Sequence, residues 1–99
     1  MNHLNELVNH KEIFFRFIAE RVPVFTGSNV FLRDIQYGIK FFFEKKNIKL
    51  KYAETEKLAF EFASELSVKN DLMKYNNNTW KVNFVFSEKI INIDETVNK

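Results

Sequence analysis

The sequence predicts an α+β fold: three helices, the second and third joined by a short extended arm, followed by a C-terminal β-hairpin. Three observations carry this reading. Apolar residues recur at helical spacing over 13–22, 31–43 and 58–66. The period drops to two over 48–52 and again over 80–86. Turn-forming residues, Pro23, Gly27, Ser28 and the run Asn76-Asn77-Asn78, fall between the periodic segments.

Ninety-nine residues are enough for one core, so one domain is expected over the whole chain. Core material is plentiful. Hydrophobic residues make up 45% of the chain and twelve of them are Phe, so burial can offset ordering entropy without covalent staples. There is no Cys, which excludes disulfides and thiolate metal sites and suits a reducing compartment. Residues 1–11 hold no apolar run of the kind a secretory signal needs, and no stretch approaches the ~20 apolar residues that span a bilayer. A cytoplasmic protein, peripheral at the membrane if attached to it, is expected. Asn77-Asn78-Thr79 matches a glycosylation sequon but reads as a turn.

The first helix is expected over 11–22, with Ile13, Phe14, Phe17, Ile18 and Val22 on one stripe and Pro23 as its stop. Leu4, Leu7 and Val8 fit the same stripe and extend it backwards. After the break at 23–29, Ser28 is the expected N-cap of a second helix running to about Glu44. Gly38 inside that helix costs about 1 kcal/mol relative to Ala, which points to a close helix contact there. Phe41, Phe42 and Phe43 are consecutive, so at 100° per residue they cannot all face one core. Alternation of Ile48, Leu50 and Tyr52 with Lys49 and Lys51 predicts a short strand or extended arm. The third helix is expected over 55–69 with Asn70 at its C-terminal stop. Strands are expected over 72–75 and 80–86, joined by the Asn run. The core is expected over about 12–87, and 88–99 is expected to be a partly flexible tail in which Ile90, Ile91 and Ile93 make a short packed segment.

Three helices and a terminal hairpin is the order of a winged-helix domain. Within it, Phe25-Thr26-Gly27-Ser28-Asn29-Val30 resembles the phrase that opens the second helix of DEP domains, a winged-helix family of signalling proteins. Residues 57–66 resemble that family's third helix, Asp71-Leu72-Met73-Lys74-Tyr75 its first hairpin strand, and 80–86 its second. The arrangement is similar to the DEP domains embedded in fungal Rho-GTPase-regulating proteins. One departure stands out: many DEP domains carry a Trp in the second helix, where this chain has Leu32-Arg33-Asp34, and its sole Trp is Trp80. The resemblance implies a noncatalytic adaptor that places signalling proteins at membranes through anionic lipids or docks on other proteins.

Residues for catalysis are sparse in the sequence, so no enzyme activity, cofactor or metal is expected. His3 and His10, seven apart, could share a helix side, and Glu61 with Glu65 could form a carboxylate pair; solvated side chains explain both. Two Gly residues cannot make a phosphate-binding loop. The net charge of +2 names no partner by itself. The distinctive cluster is Lys45, Lys46, Lys49 and Lys51, which can hold anionic phospholipid headgroups or acidic protein segments, or else marks a solvated edge that deters aggregation. Duplex DNA is disfavoured: Glu54, Glu56, Glu61 and Glu65 on the third helix oppose only Lys57 and Lys69, leaving Lys74 and Lys81 as a thin basic wing. A helix-mediated dimer through the Phe-rich surface is the remaining alternative.

Overall fold

The computed structural model describes residues 3–86. It is an α+β arrangement of four helices and a small three-stranded antiparallel sheet. In chain order the elements are α1 (His3–Asn9), α2 (Lys11–Ile18), β1 (Asn29–Phe31), α3 (Leu32–Glu44), α4 (Tyr52–Val68), β2 (Leu72–Asn76) and β3 (Thr79–Val82). The strand order is β1-β3-β2. The expected tail over 88–99 lies outside the described residues.

The core is a convergence of phenylalanines. Phe14 and Phe15 of α2, Phe43 of α3 and Phe62 of α4 are wholly buried. The Phe14 ring meets Phe15 at 5.3 Å, Phe42 at 5.7 Å and Phe62 at 5.1 Å, each edge to face. Phe15 stacks on Phe62 at 5.8 Å and tilts against Phe84 at 5.6 Å. Such geometries match the ring quadrupoles and add about 0.5–1.5 kcal/mol per pair beyond burial. The three consecutive phenylalanines divide as the helical period requires. Phe42 and Phe43 are buried, while Phe41 is half-buried under Tyr37, with the Arg21 guanidinium 5.0 Å from its ring centre.

The first expected helix is two. Leu7 is buried, and Leu4 and Val8 pack on the core as the stripe predicts. The chain nevertheless breaks at His10 (φ −120°, ψ 36°), so α1 and α2 leave at different angles. Nor does Pro23 stop α2. The helix ends at Ile18, the last buried apolar residue of its stripe, and tightens into turns in which Glu20 and Arg21 donate to the Phe17 and Ile18 carbonyls.

Ser28 does not cap the second expected helix. Residues 29–31 form β1 instead, with Val30 opposite Trp80. The Ser28 hydroxyl accepts from the Phe25 N–H at 3.0 Å and shapes the turn at Gly27, whose φ is +94°. Phe31 occupies the N-cap position of α3, and its backbone N–H donates to the Asp34 carboxylate at 3.4 Å. Gly27 and Val82 lock the turn to β3: Gly27 N–H donates to the Val82 carbonyl at 2.7 Å, and Val82 N–H to the Ser28 carbonyl at 2.8 Å.

Both long helices end in Schellman motifs built on asparagine. Asn47 (φ 63°) and Asn70 (φ 64°) adopt the left-handed conformation. After α3, Ile48 N–H donates to the Phe43 carbonyl and Asn47 N–H to Glu44, each at 2.9 Å. After α4, Asp71 N–H donates to Leu66 at 2.8 Å and Asn70 N–H to Ser67 at 3.0 Å. The turn at Asn47 sends the chain back along the core, so 48–51 is neither a paired strand nor a projecting arm. Ile48 and Leu50 pack inward while Lys49 and Lys51 stay exposed, which is what the period of two records. The next helix starts three residues earlier than expected, because the Lys51 N–H donates to the Glu54 carboxylate at 2.9 Å and anchors the first turn.

The hairpin has the expected facing. Trp80, Val82 and Phe84 are buried and Phe86 is half-buried, whereas Lys81 and Asn83 are exposed. Leu72 pairs with Val82, Met73 with Lys81 and Lys74 with Trp80, and a bulge before Asn76 leaves Tyr75 exposed. The connecting turn needs no left-handed residue. The Asn76 side chain accepts from the Asn78 N–H at 3.0 Å instead.

Gly38 marks the expected close approach. A Cβ built there would lie 2.7 and 2.8 Å from the Ile18 side chain and 3.0 Å from Phe14. Overpacking costs about 1–3 kcal/mol against about 1 kcal/mol of helix propensity gained. Gly38→Ala is therefore expected to lower stability by about 1 kcal/mol in urea titration, with part of the loss recovered in the Gly38→Ala, Ile18→Val double variant. Asn47→Ala should also lower stability by about 1 kcal/mol, and Asn47→Gly should not; equal urea midpoints for the two would show that the left-handed turn is not required.

Candidate functional site

The lysine cluster sits on the connection from α3 to α4, and all four members are exposed. The structure splits them into two pairs. Lys45 and Lys46 lean toward the N-terminal helices: the Lys45 ammonium lies 4.7 Å from the Phe17 ring centre, and Lys46 lies 4.6 Å from that of Phe42 and pairs with the Glu6 carboxylate. Lys49 and Lys51 are exposed between the inward-packed Ile48 and Leu50 and form no ion pair among the described residues.

Leu50 and Tyr52 border a cleft of about 480 Å³ whose other wall is the outer stripe of α3, Arg33, Gln36, Tyr37 and Lys40. These four are spaced i, i+3, i+4, i+7 and so share one helix side. Gln36 holds the wall in place. Its amide donates to the Thr55 hydroxyl at 3.2 Å and reaches the Tyr52 carbonyl at 3.5 Å, while the Thr55 hydroxyl donates to that same carbonyl at 2.7 Å. A second cleft of about 590 Å³ continues past Arg33 toward Asn78 and contains Asp34 and Glu56. Arg33 and Lys40 were absent from the sequence-based candidates. Their signal is the polar stripe at helical spacing, which reads as an ordinary solvated side until Leu50 and Tyr52 are placed opposite it.

Other candidates are dispersed. Glu54, Glu56, Glu61 and Glu65 are exposed along α4 beside Lys57, and Lys74 and Lys81 are exposed on the hairpin. His3 lies 4.7 Å from the Phe43 ring, and a His10 ring nitrogen is 3.0 Å from the Glu6 carbonyl. Lys11 pairs with Asp71, tying the start of α2 to the turn before β2. No described helix is long and apolar enough to cross a membrane. No protein-family model, curated protein or solved structure matches this chain.

The hydrogen bond from Lys46 holds the Glu6 carboxyl below its ordinary range, against the opposing effect of its burial. A carboxyl lowered on folding stabilises the fold above its unfolded pKa and loses that contribution as pH falls through the folded value. Glu6→Gln is thus expected to melt below the wild type at neutral pH and to converge with it in the acid range below ordinary carboxylate pKa values. A constant gap in Tm at every pH would show that the ion pair contributes nothing to stability.

Proposed function

We propose that this chain is a noncatalytic docking domain of winged-helix type, similar in role to DEP domains, that attaches to anionic phospholipid surfaces through Lys45, Lys46, Lys49 and Lys51. The observation that carries the reading is the connection itself: four exposed lysines and no carboxylate in the seven residues 45–51, laid on the core by Ile48 and Leu50. The winged-helix assignment rests on element order, with α2, α3 and α4 followed by the β2–β3 hairpin. Duplex DNA fits less well. The helix that would enter the major groove, α4, exposes Glu54, Glu56, Glu61 and Glu65 against Lys57, and phosphates would be repelled there.

At about 1 kcal/mol per basic residue near a charged surface, attachment is weak and salt-sensitive. Lys46 is a poor residue to reverse, because it pairs with Glu6 and its replacement would disturb packing as well as binding. The informative variant changes Lys49 and Lys51 to Glu. It should lose sedimentation with phosphatidylserine liposomes while keeping the wild-type Tm, since exposed charges contribute little to folding. Undiminished liposome binding would overturn the reading; wild-type binding to duplex DNA, lost in Lys74→Glu, Lys81→Glu, would replace it with a nucleic-acid function.

A further inference from the structure

The cleft between α3 and the start of α4 has the chemistry of a peptide site, and we propose that it binds a short extended acidic peptide carrying two carboxylates about three residues apart around an apolar side chain. The site lies beside the membrane-facing lysines but does not depend on them.

Charge comes first. Arg33 and Lys40 stand at the two ends of the α3 wall, and among the described residues no carboxylate borders the cleft between them. Neither forms an ion pair among the described residues, so no described carboxylate neutralises their charge. Seven helical residues at 1.5 Å each separate them by about 10 Å along the axis. A peptide in the polyproline II conformation advances about 3.1 Å per residue with three residues per turn, so positions i and i+3 span about that distance and lie on one face.

The interior of the cleft suits the residues between those acids. Leu50 supplies an apolar surface, and Tyr37 (57% exposed) and Tyr52 (74% exposed) offer ring faces and hydroxyls at its sides. The volume of about 480 Å³ falls in the range of about 300–1,000 Å³ typical of small-ligand clefts. The polar wall is fixed before any ligand arrives, since Gln36 and Thr55 already satisfy one another and the Tyr52 carbonyl. Binding would not have to order them.

Two rival occupants fit less well. A flat bilayer reaches projecting side chains such as Lys49 and Lys51 but not the Leu50 surface of a concave cleft. A nucleic-acid strand following the groove beyond Arg33 would pass Asp34 and Glu56 in the adjoining cleft, where its phosphates meet like charge. A short peptide ends at Arg33, which the two clefts share, with its carboxylate on that guanidinium.

Fluorescence anisotropy without lipid tests this. The probes are fluorescein-labelled Gly-Glu-X-Ala-Glu-Gly peptides with X as Leu, Phe or Tyr, and the same peptides with Gln in place of Glu. At least one acidic probe should bind the wild type with an affinity that falls as salt rises, the Gln probes should bind about tenfold more weakly or not at all, and Arg33→Glu, Lys40→Glu should abolish binding. Arg33→Gln, Lys40→Gln, which keeps long side chains on the wall, should show a smaller loss in the same direction. Lys49→Glu, Lys51→Glu should stay within about threefold of wild type for the peptide while losing liposomes, so failure of the membrane reading and failure of this one are separable. Amide shifts on titration should centre on 33–40 and 50–55. The proposal is overturned if no acidic probe binds, if the Arg33, Lys40 variants bind as well as wild type, if the shifts centre elsewhere, or if those variants lose liposome or polyuridylate binding in place of peptide binding.

Discussion

Everything else in the structure hangs on the Phe14 ring. It contacts phenylalanines of α2, α3 and α4 at once, and its neighbour Phe15 extends the cluster to Phe84 just beyond the hairpin. Truncating a buried phenylalanine to alanine costs about 3–5 kcal/mol, a large share of the 5–15 kcal/mol that separates folded from unfolded chains. No ion pair among the described residues approaches that scale. The same ring sets how near α2 comes to α3: its tip and the Ile18 side chain fill the space that any residue larger than glycine would need at position 38. The glycine is the local cost of the aromatic junction.

With α3 held by its inner stripe, the positions of its outer residues follow. Ile35, Gly38, Ile39, Phe42 and Phe43 face the core, which leaves Arg33, Gln36, Tyr37 and Lys40 on the far side. The Schellman turn at Asn47 then decides what those residues meet. Had the helix continued, the lysines would have wound around it. Because the chain reverses and Ile48 and Leu50 pack inward, Leu50 and Tyr52 come to lie opposite the α3 stripe, with Lys49 and Lys51 outside them. One left-handed asparagine thus produces both the basic edge and the cleft behind it.

Local periodicity was enough to read the helical stripes and the buried side of the hairpin, and Gly38 announced a close contact without naming Ile18 and Phe14 as its partners. Features set by distant partners were not legible. Val30-Phe31-Leu32 looks like a helix start in isolation, but Val30 is drawn into a strand by Trp80, fifty residues away. Ser28 has the residue type of a helix cap, yet that pairing delays α3 and turns its hydroxyl back to Phe25. The alternation over 48–52, read as a short strand or extended arm, correctly placed Ile48 and Leu50 inward but not Tyr52, which opens α4 and is exposed, because period two reports burial of one side and not the presence of a hydrogen-bonded neighbour. Lys46 looked interchangeable with Lys49 until α1 placed Glu6 beside it.

Charge is divided between neighbouring elements of one small fold, and the division has consequences for how contacts combine. The carboxylates of α4 would offset lysines spread along the same helix, whereas confining the cations to the connection and the α3 stripe gives them a surface of their own. Each contact there is individually weak: about 1 kcal/mol per lysine at a charged membrane, and a few charge-assisted hydrogen bonds in the cleft. Lys49 and Lys51 alternate with Leu50 and Tyr52, so a peptide bound in the cleft as proposed would lie within a few residues' length of the edge proposed to meet lipid. If that peptide belongs to a membrane protein, its capture makes the lipid contact effectively intramolecular, and the two weak contacts multiply without new contact area. Because both are ionic, their combined salt dependence is steeper than that of either alone. On the two proposed readings, strong attachment would require the acidic segment and the anionic bilayer together, a selectivity that follows from how α3 and the connection after it place Arg33, Lys40 and the four lysines.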